Sequence, residues 1–208
     1  MKKIAITQRL IKNDSYHEIR EALDVNYSKL IRACGYLPIV LPYKIDFKDY
    51  MKELDIHGVI LTGGNDLNSV NNNSLSETRD NFEYKLIEHC VNNRIPLFGI
   101  CRGMQIIAEY FGSTFKQIND EVGIRHELKI NKKTKYLQYL ENLKSLNSFH
   151  DFTIDKISDD LLICGTDKKG VIKAIEHKKA KIFAHMWHPE RKKNFSQSEI
   201  DLIKGFFN

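Results

Sequence analysis

The sequence has 208 residues, 42% hydrophobic and 28% charged, which suits one domain with a sizeable core and excludes a disordered or membrane-embedded chain. Its 32 basic and 27 acidic residues give a formal charge of +5. The lysines are spread along the whole chain, with no arginine-rich, aromatic-interleaved stretch, so nucleic-acid binding is not expected and an anionic small substrate is.

The elements are predicted in chain order from apolar spacing. Lys3 to Thr7 reads as a buried strand, and Gln8 and Arg9 break it before a signal-peptide core could form. Tyr16 to Cys34 places Ile19, Leu23, Tyr27, Leu30 and Ile31 at helical intervals and stops at Gly35. Pro38 to Leu41 is a second strand, Asp46 to Leu54 a short helix, and Gly58 to Thr62 a strand ending at Gly63-Gly64. The polar stretch Asn68 to Ser76 reads as an exposed, mobile loop, followed by a helix over Arg79 to Asn92. Ile95 to Ile100 is a strand running into Cys101, and Gly103 to Phe111 a helix. Short strands follow at Arg125 to Ile130, Leu161 to Gly165, Val171 to Glu176 and Lys181 to His185, with a closing helix over Ser196 to Phe207.

Strands alternating with helices predict an α/β fold: a mostly parallel central sheet flanked by helices, with extra short antiparallel strands in the second half. Residues 1–208 are expected to form one domain. No stretch approaches the roughly 18 apolar residues of a membrane span, so a cytoplasmic location with reduced cysteines is expected. Cys34, Cys90 and Cys164 fall in helix or strand patterns as core residues, and no CxxC pair suggests a metal or redox site. His126, His177 and His185 lack metal-ligand spacing and evident carboxylate partners, so neither metal nor cofactor is expected.

Three short motifs carry chemistry. Gly99-Ile100-Cys101-Arg102-Gly103 lies between an apolar strand and an apolar helix, the setting of a sharp nucleophile elbow. Its glycines allow a close backbone approach, and the helix start favours a thiolate. Alone, the segment also fits a buried cysteine between turn glycines. Trp187-His188-Pro189-Glu190 supplies a base and a carboxylate to orient it, placed on one side if the backbone is extended. Taken singly it also fits a solvated surface loop. Thr62-Gly63-Gly64-Asn65-Asp66 ends a strand with N–H groups free to meet an oxyanion, or forms an ordinary tight turn.

Together with Arg79-Asp80-Asn81-Phe82-Glu83, Gly99 to Gln105 and Asn147-Ser148-Phe149-His150, these motifs resemble the class I glutamine amidotransferases. The match is to their stand-alone γ-glutamyl hydrolase (peptidase C26-like) branch, and it runs from Lys3 to about Arg191. The resemblance implies a flavodoxin-like sheet and hydrolysis of a γ-glutamyl amide through a thioester. Cys101 would be nucleophile, His188 base and acid, and Glu190 third member, with Gly64 and Arg102 N–H groups as oxyanion donors. Gly63, Gln105, Asn147, Ser148, Phe149 and His150 would hold the glutamyl group. The loop after Asp66 lacks the branch's usual proline and tyrosine-glycine-glutamate segment. A larger leaving group is therefore compatible, such as the nucleotide phosphoramidate of γ-glutamyl-CDP-amidate hydrolases in capsule modification, although no residue spells out cytidine or phosphate recognition. Gln8, Arg9, Tyr16 and Arg20, near the end of the first strand, are candidate acceptor contacts, Arg9 foremost, or else part of a solvated loop and helix start. The implied partner is a small γ-glutamyl amide, without nucleic acid, membrane or obligate synthetase; a homodimer is compatible. The rival reading is a glutaminase subunit delivering ammonia to a separate synthetase.

Overall fold

A computed structural model describes residues 1–208. The first half contains β1 (Lys3–Ile6), β2 (Arg9–Lys12), β3 (Ile19–Ala22), α1 (Val25–Ala33), β4 (Leu37–Val40), α2 (Phe47–Glu53), β5 (Ile56–Leu61), α3 (Ser74–Asn92), β6 (Leu97–Ile100) and α4 (Arg102–Tyr110). The second half contains β7 (Thr114–Gln117), β8 (Val122–His126), β9 (Lys129–Ile130), α5 (Leu137–Leu140), β10 (Leu146–Phe149), β11 (Phe152–Lys156), β12 (Leu161–Thr166), β13 (Ile172–His177), β14 (Ile182–His185) and α6 (Gln197–Phe207).

Eight strands form the central sheet in the order β4-β1-β5-β6-β14-β13-β12-β9. The first five run parallel, and β13, β12 and β9 extend the sheet antiparallel. Strands β6 and β14, in the middle of the sheet, are buried at every position, as strands covered by helices on both faces are. A hydrophobic core of 43 residues spans the sheet and its flanking helices, Phe98 and Phe183 lying at 0% exposure. Three antiparallel pairs, β10-β8, β11-β7 and β2-β3, stand outside the sheet. The predicted fold class, a mostly parallel sheet with short antiparallel additions, is the one observed. No helix is long and apolar enough to cross a membrane.

Four local expectations change. The helix predicted from Tyr16 begins at Val25, because Asp24 accepts the Asn26 N–H as a cap, while Ile19 to Ala22 pair with Arg9 to Lys12 as a hairpin. The mobile loop read from Asn68 to Ser76 is tied down. Asn68 N–H donates to Asp80 at 2.7 Å, and Asn73 caps α3, which starts at Ser74. The strand read from Arg125 to Ile130 is two strands, β8 and β9, in different sheets. Strands β7, β10 and β11 are additional; they are short and mixed in burial, so their periodicity is weak.

Candidate active site

Strands β5, β6 and β14 are neighbours in the sheet, and their carboxyl ends carry Gly63-Gly64, Cys101 and the run to His188. Cys101 has φ +54° and ψ −107°, a conformation rarely adopted outside glycine, between β6 and the first turn of α4. Its N–H donates to the His185 carbonyl at 2.7 Å, which locks the elbow to the adjoining strand. The flanking glycines permit the bend. A Cβ on Gly103 would lie 2.1 Å from the Leu61 carbonyl oxygen, and one on Gly99 2.7 Å from Gly103.

His188 packs against the same spot. A Cβ on Gly63 would meet His188 Cε1 at 3.0 Å and Cys101 Cβ at 3.5 Å, so thiol and imidazole border one narrow space. His188 Nδ1 donates to Glu190 Oε1 at 2.5 Å. Glu190 reaches back through a 3-10 turn over Pro189–Arg191 instead of along the extended backbone expected. Burial pushes the imidazolium toward neutrality, but the Cys101 and Glu190 charges outweigh it and hold the His188 pKa up at about 9. Nε2 has no aligned hydrogen-bond partner in this resting arrangement. Asn147 fixes the His188 backbone twice: its amide donates to the His188 carbonyl at 2.8 Å and its carbonyl accepts the His188 N–H at 2.7 Å. That amide, read from the sequence as a glutamyl contact, is engaged by the histidine's own main chain.

The Gly63-Gly64 turn is held from behind by Arg79, whose side chain is fully buried on α3. Its guanidinium donates to the carbonyls of Thr62 at 2.8 Å, Gly63 at 3.0 Å and Gly64 at 2.7 Å. Because the peptide bond is trans, a Gly63 carbonyl turned toward Arg79 directs the Gly64 N–H to the opposite side. The Gly63 N–H is taken by the Tyr27 hydroxyl at 3.3 Å. Burial, then the nearby Glu190 charge, pushes the Tyr27 pKa well up, keeping that hydroxyl neutral. Arg79 also pairs with Glu83 at 3.1 Å, and Arg102 pairs with both Glu83 and Asp80. Two guanidiniums and two carboxylates thus balance in a buried network joining α3 to the elbow. Burial would raise the Glu83 pKa, but the Arg102 and Arg79 charges reverse this and lower it. The Arg102 N–H, at the start of α4, is among the donors that a helix leaves unpaired.

Cys101, Gln105, Gly64, Phe149 and His150 line a cavity of about 310 Å³. Gln105 donates to the Phe152 carbonyl at 3.0 Å. Behind it, Lys173 donates to Glu121 at 2.5 Å, to Ser148 at 3.2 Å and to His150 Nε2 at 3.0 Å. His150 therefore carries its proton on Nδ1, which donates to the Phe152 carbonyl at 3.1 Å. Burial, then the Lys173 ammonium, drives its pKa down to about 4, so it is neutral. His126, expected to lack carboxylate partners, has two: Glu121 at 2.8 Å and Asp167 at 3.5 Å. Their chain separation hid the cluster. These three could offer ligand atoms within 4.8 Å of one another, but the Lys173 ammonium already occupies Glu121. Arg9 lies over Gly64, in a second cavity of about 270 Å³ with His188, Glu190, Gly63 and Tyr27.

Arg79, Glu83, Tyr27, Lys173, Glu121 and Arg191 bear on the site without having been singled out from the sequence. Only the stretch Arg79 to Glu83 gave a signal, as part of a motif without a role.

The peptidase C26 family pattern matches residues 3–190. Over 208 aligned residues the chain is 42% identical to the gamma-glutamyl-CDP-amidate hydrolase of Campylobacter jejuni, covering 99% of this chain and 97% of that protein. A protein described as belonging to a GMP synthase of Thermoplasma acidophilum superimposes with a TM-score of 0.75 at 18% identity, over 100% of this chain and 92% of that one. A glutamine amidotransferase from Thermotoga maritima gives 0.68 at 16% identity, over 98% of this chain and 83% of that one. These structural likenesses speak for the fold alone.

Proposed function

The chain belongs to the peptidase C26 family, and on that premise we propose that it hydrolyses γ-glutamyl amides with Cys101 as nucleophile, His188 as base and acid, and Glu190 as its orienter. The observation that carries this reading is the elbow at φ +54°, which sets Cys101 against the same glycine as an imidazole held by a buried carboxylate. The Cys101 thiolate attacks the γ-carbonyl, and the oxyanion takes hydrogen bonds from the Gly64 and Arg102 N–H groups. The C–N bond then breaks as the His188 imidazolium protonates the leaving nitrogen. Neutral His188 takes a proton from the attacking water, the γ-glutamyl thioester breaks to release glutamate, and the thiolate and imidazolium are restored.

Gln105, Phe149 and His150 contact the glutamyl group beside Gly63. Asn147 acts through the His188 backbone, and Ser148 through its contact with Glu121. Arg9 lies on the leaving-group side, and the similarity to the Campylobacter jejuni hydrolase supports a nucleotide phosphoramidate as leaving group. Capsule modification is the matching physiological setting, with the chain acting in the cytoplasm without an obligate synthetase. Purified protein offered a panel of γ-glutamyl amides should release glutamate unassisted, and Cys101→Ala should abolish release. Negligible turnover that rises only with an added synthetase would favour the ammonia-delivering alternative and contradict this reading.

A further inference from the structure

Arg191 sits where the cavities around the triad meet. It lines the cavity of about 310 Å³ that holds Cys101, the cavity of about 270 Å³ that holds His188, and a third of about 420 Å³ that also contains Arg125 and Lys193. Its guanidinium lies 4.6 Å above the Phe149 ring, which orients the plane, and 3.9 Å from the Glu190 carboxylate. The side chain is 38% exposed, so much of its donor edge faces open space. Arg9 lines the second of these cavities as well. It opens the β2-β3 hairpin and lies over Gly64. Neither guanidinium has a carboxylate closer than the 3.9 Å separation between Arg191 and Glu190.

In the cavity that Arg9 and Arg191 share, both carboxylates, Glu190 and Asp24, are otherwise occupied. Glu190 accepts from His188, and Asp24 accepts the Asn26 N–H at 2.8 Å as the cap of α1. Proton delivery requires the leaving nitrogen to face His188, so whatever is bonded to that nitrogen lies in the cavity that Arg9 and Arg191 share. An alkyl group there would leave two guanidiniums without a partner. A phosphoryl group would accept from both, and its oxygens would take up part of the negative charge that builds on nitrogen as the C–N bond breaks.

We propose that Arg9 and Arg191 form a clamp for an anionic phosphoryl group bonded directly to the leaving nitrogen, so that the site selects γ-glutamyl phosphoramidates over γ-glutamyl amides of neutral amines. This rests on the γ-glutamyl hydrolase reading and assigns, within it, the residues that select the leaving group. Arg125 and Lys193 in the adjoining cavity extend the positive potential along which a second phosphate would lie.

The test compares kcat/KM for γ-glutamyl-CDP-amidate with kcat/KM for γ-glutamyl-p-nitroanilide, whose leaving amine is uncharged. The ratio of the two should favour the phosphoramidate in the wild type and fall by about 30-fold in Arg191→Gln and in Arg9→Gln, as loss of a charged hydrogen bond implies. Arg191→Lys should restore part of it. The two arginines belong to different elements, so a folding defect in one variant leaves the other to decide. A ratio within about threefold of wild type in both Gln variants, or a wild type that prefers the anilide, overturns the clamp. In either case, continued Cys101-dependent glutamate release leaves the hydrolase reading standing. Release from neither compound, with no acylation of Cys101, overturns both.

Discussion

His188 gains its proton affinity from its surroundings. Its pKa rises from 6.5 to about 9 because the neighbouring Cys101 and Glu190 charges overcome the burial that works against them. A group whose folded pKa is raised stabilises the fold fully below its unfolded pKa and loses that stabilisation as pH rises through the folded one. Urea unfolding should therefore show wild-type stability falling between pH 6.5 and about 9 relative to His188→Gln. Parallel pH curves for the two proteins would contradict this. The same titration sets activity: kcat/KM should decline above about pH 9 as the imidazolium of the ion pair is lost, and an alkaline limb near pH 6.5 would refute it. The other thiols are unlike Cys101 in setting. Burial pushes Cys34 up to about 12, and it raises Cys90 and Cys164 further still.

Helix α3 acts on the site through Arg79. Replacing it with Met leaves Glu83 short of a partner in a fully buried setting and frees the Gly63-Gly64 turn. Stability should fall by about 3 kcal/mol and turnover by about 10²-fold. Arg79→Lys should recover part of the stability, because a charge remains, but little of the turnover, because three donors on a single nitrogen cannot reproduce the forked guanidinium's reach to three carbonyls and Glu83 at once. Denaturant midpoints and kcat for both variants check this; near-wild-type turnover in the lysine variant would sink the positioning role. At the elbow, Gly103→Ala forces a Cβ toward the Leu61 carbonyl and should cost at least about 2 kcal/mol in denaturant unfolding, whereas a neutral effect would mean the bend relaxes. These elements differ in how well the sequence announces them. The elbow and the glycine pair are legible because neighbouring residues dictate their backbone, whereas the His-Pro-Glu run is legible by residue type but not by the 3-10 turn that joins its members. The buried pairing of Arg79, Glu83 and Arg102 is not legible, since charged residues on a helix normally face water and only the fold brings these side chains together. The β2-β3 hairpin was hidden by Ile19 and Leu23, whose helical spacing continues smoothly into α1. Asn147 matched a family motif, but its bidentate grip on His188 depends on β10, a strand of four residues with little periodicity of its own.

On the scale of the whole molecule, sheet order makes the site. Cys101 and His188 are far apart in sequence, yet β6 and β14 are parallel neighbours, with His185 paired to Ile100 one residue before the elbow. The chain is proposed to fold as one domain around its shared core. Trp187, the only tryptophan, is buried beside the site and stacks on His185 at 3.9 Å. Its fluorescence should therefore unfold together with the far-ultraviolet dichroism in one transition, and two separated midpoints would argue for independent units. The most direct test of the proposed chemistry is peptide mass spectrometry after brief exposure to a γ-glutamyl chloroketone. A single adduct on the peptide containing Cys101, lost in Cys101→Ala and slowed in His188→Gln, is the expected result. An adduct on Cys34, Cys90 or Cys164 instead, or γ-glutamyl amide turnover persisting in Cys101→Ala, would contradict a thiolate-centred mechanism.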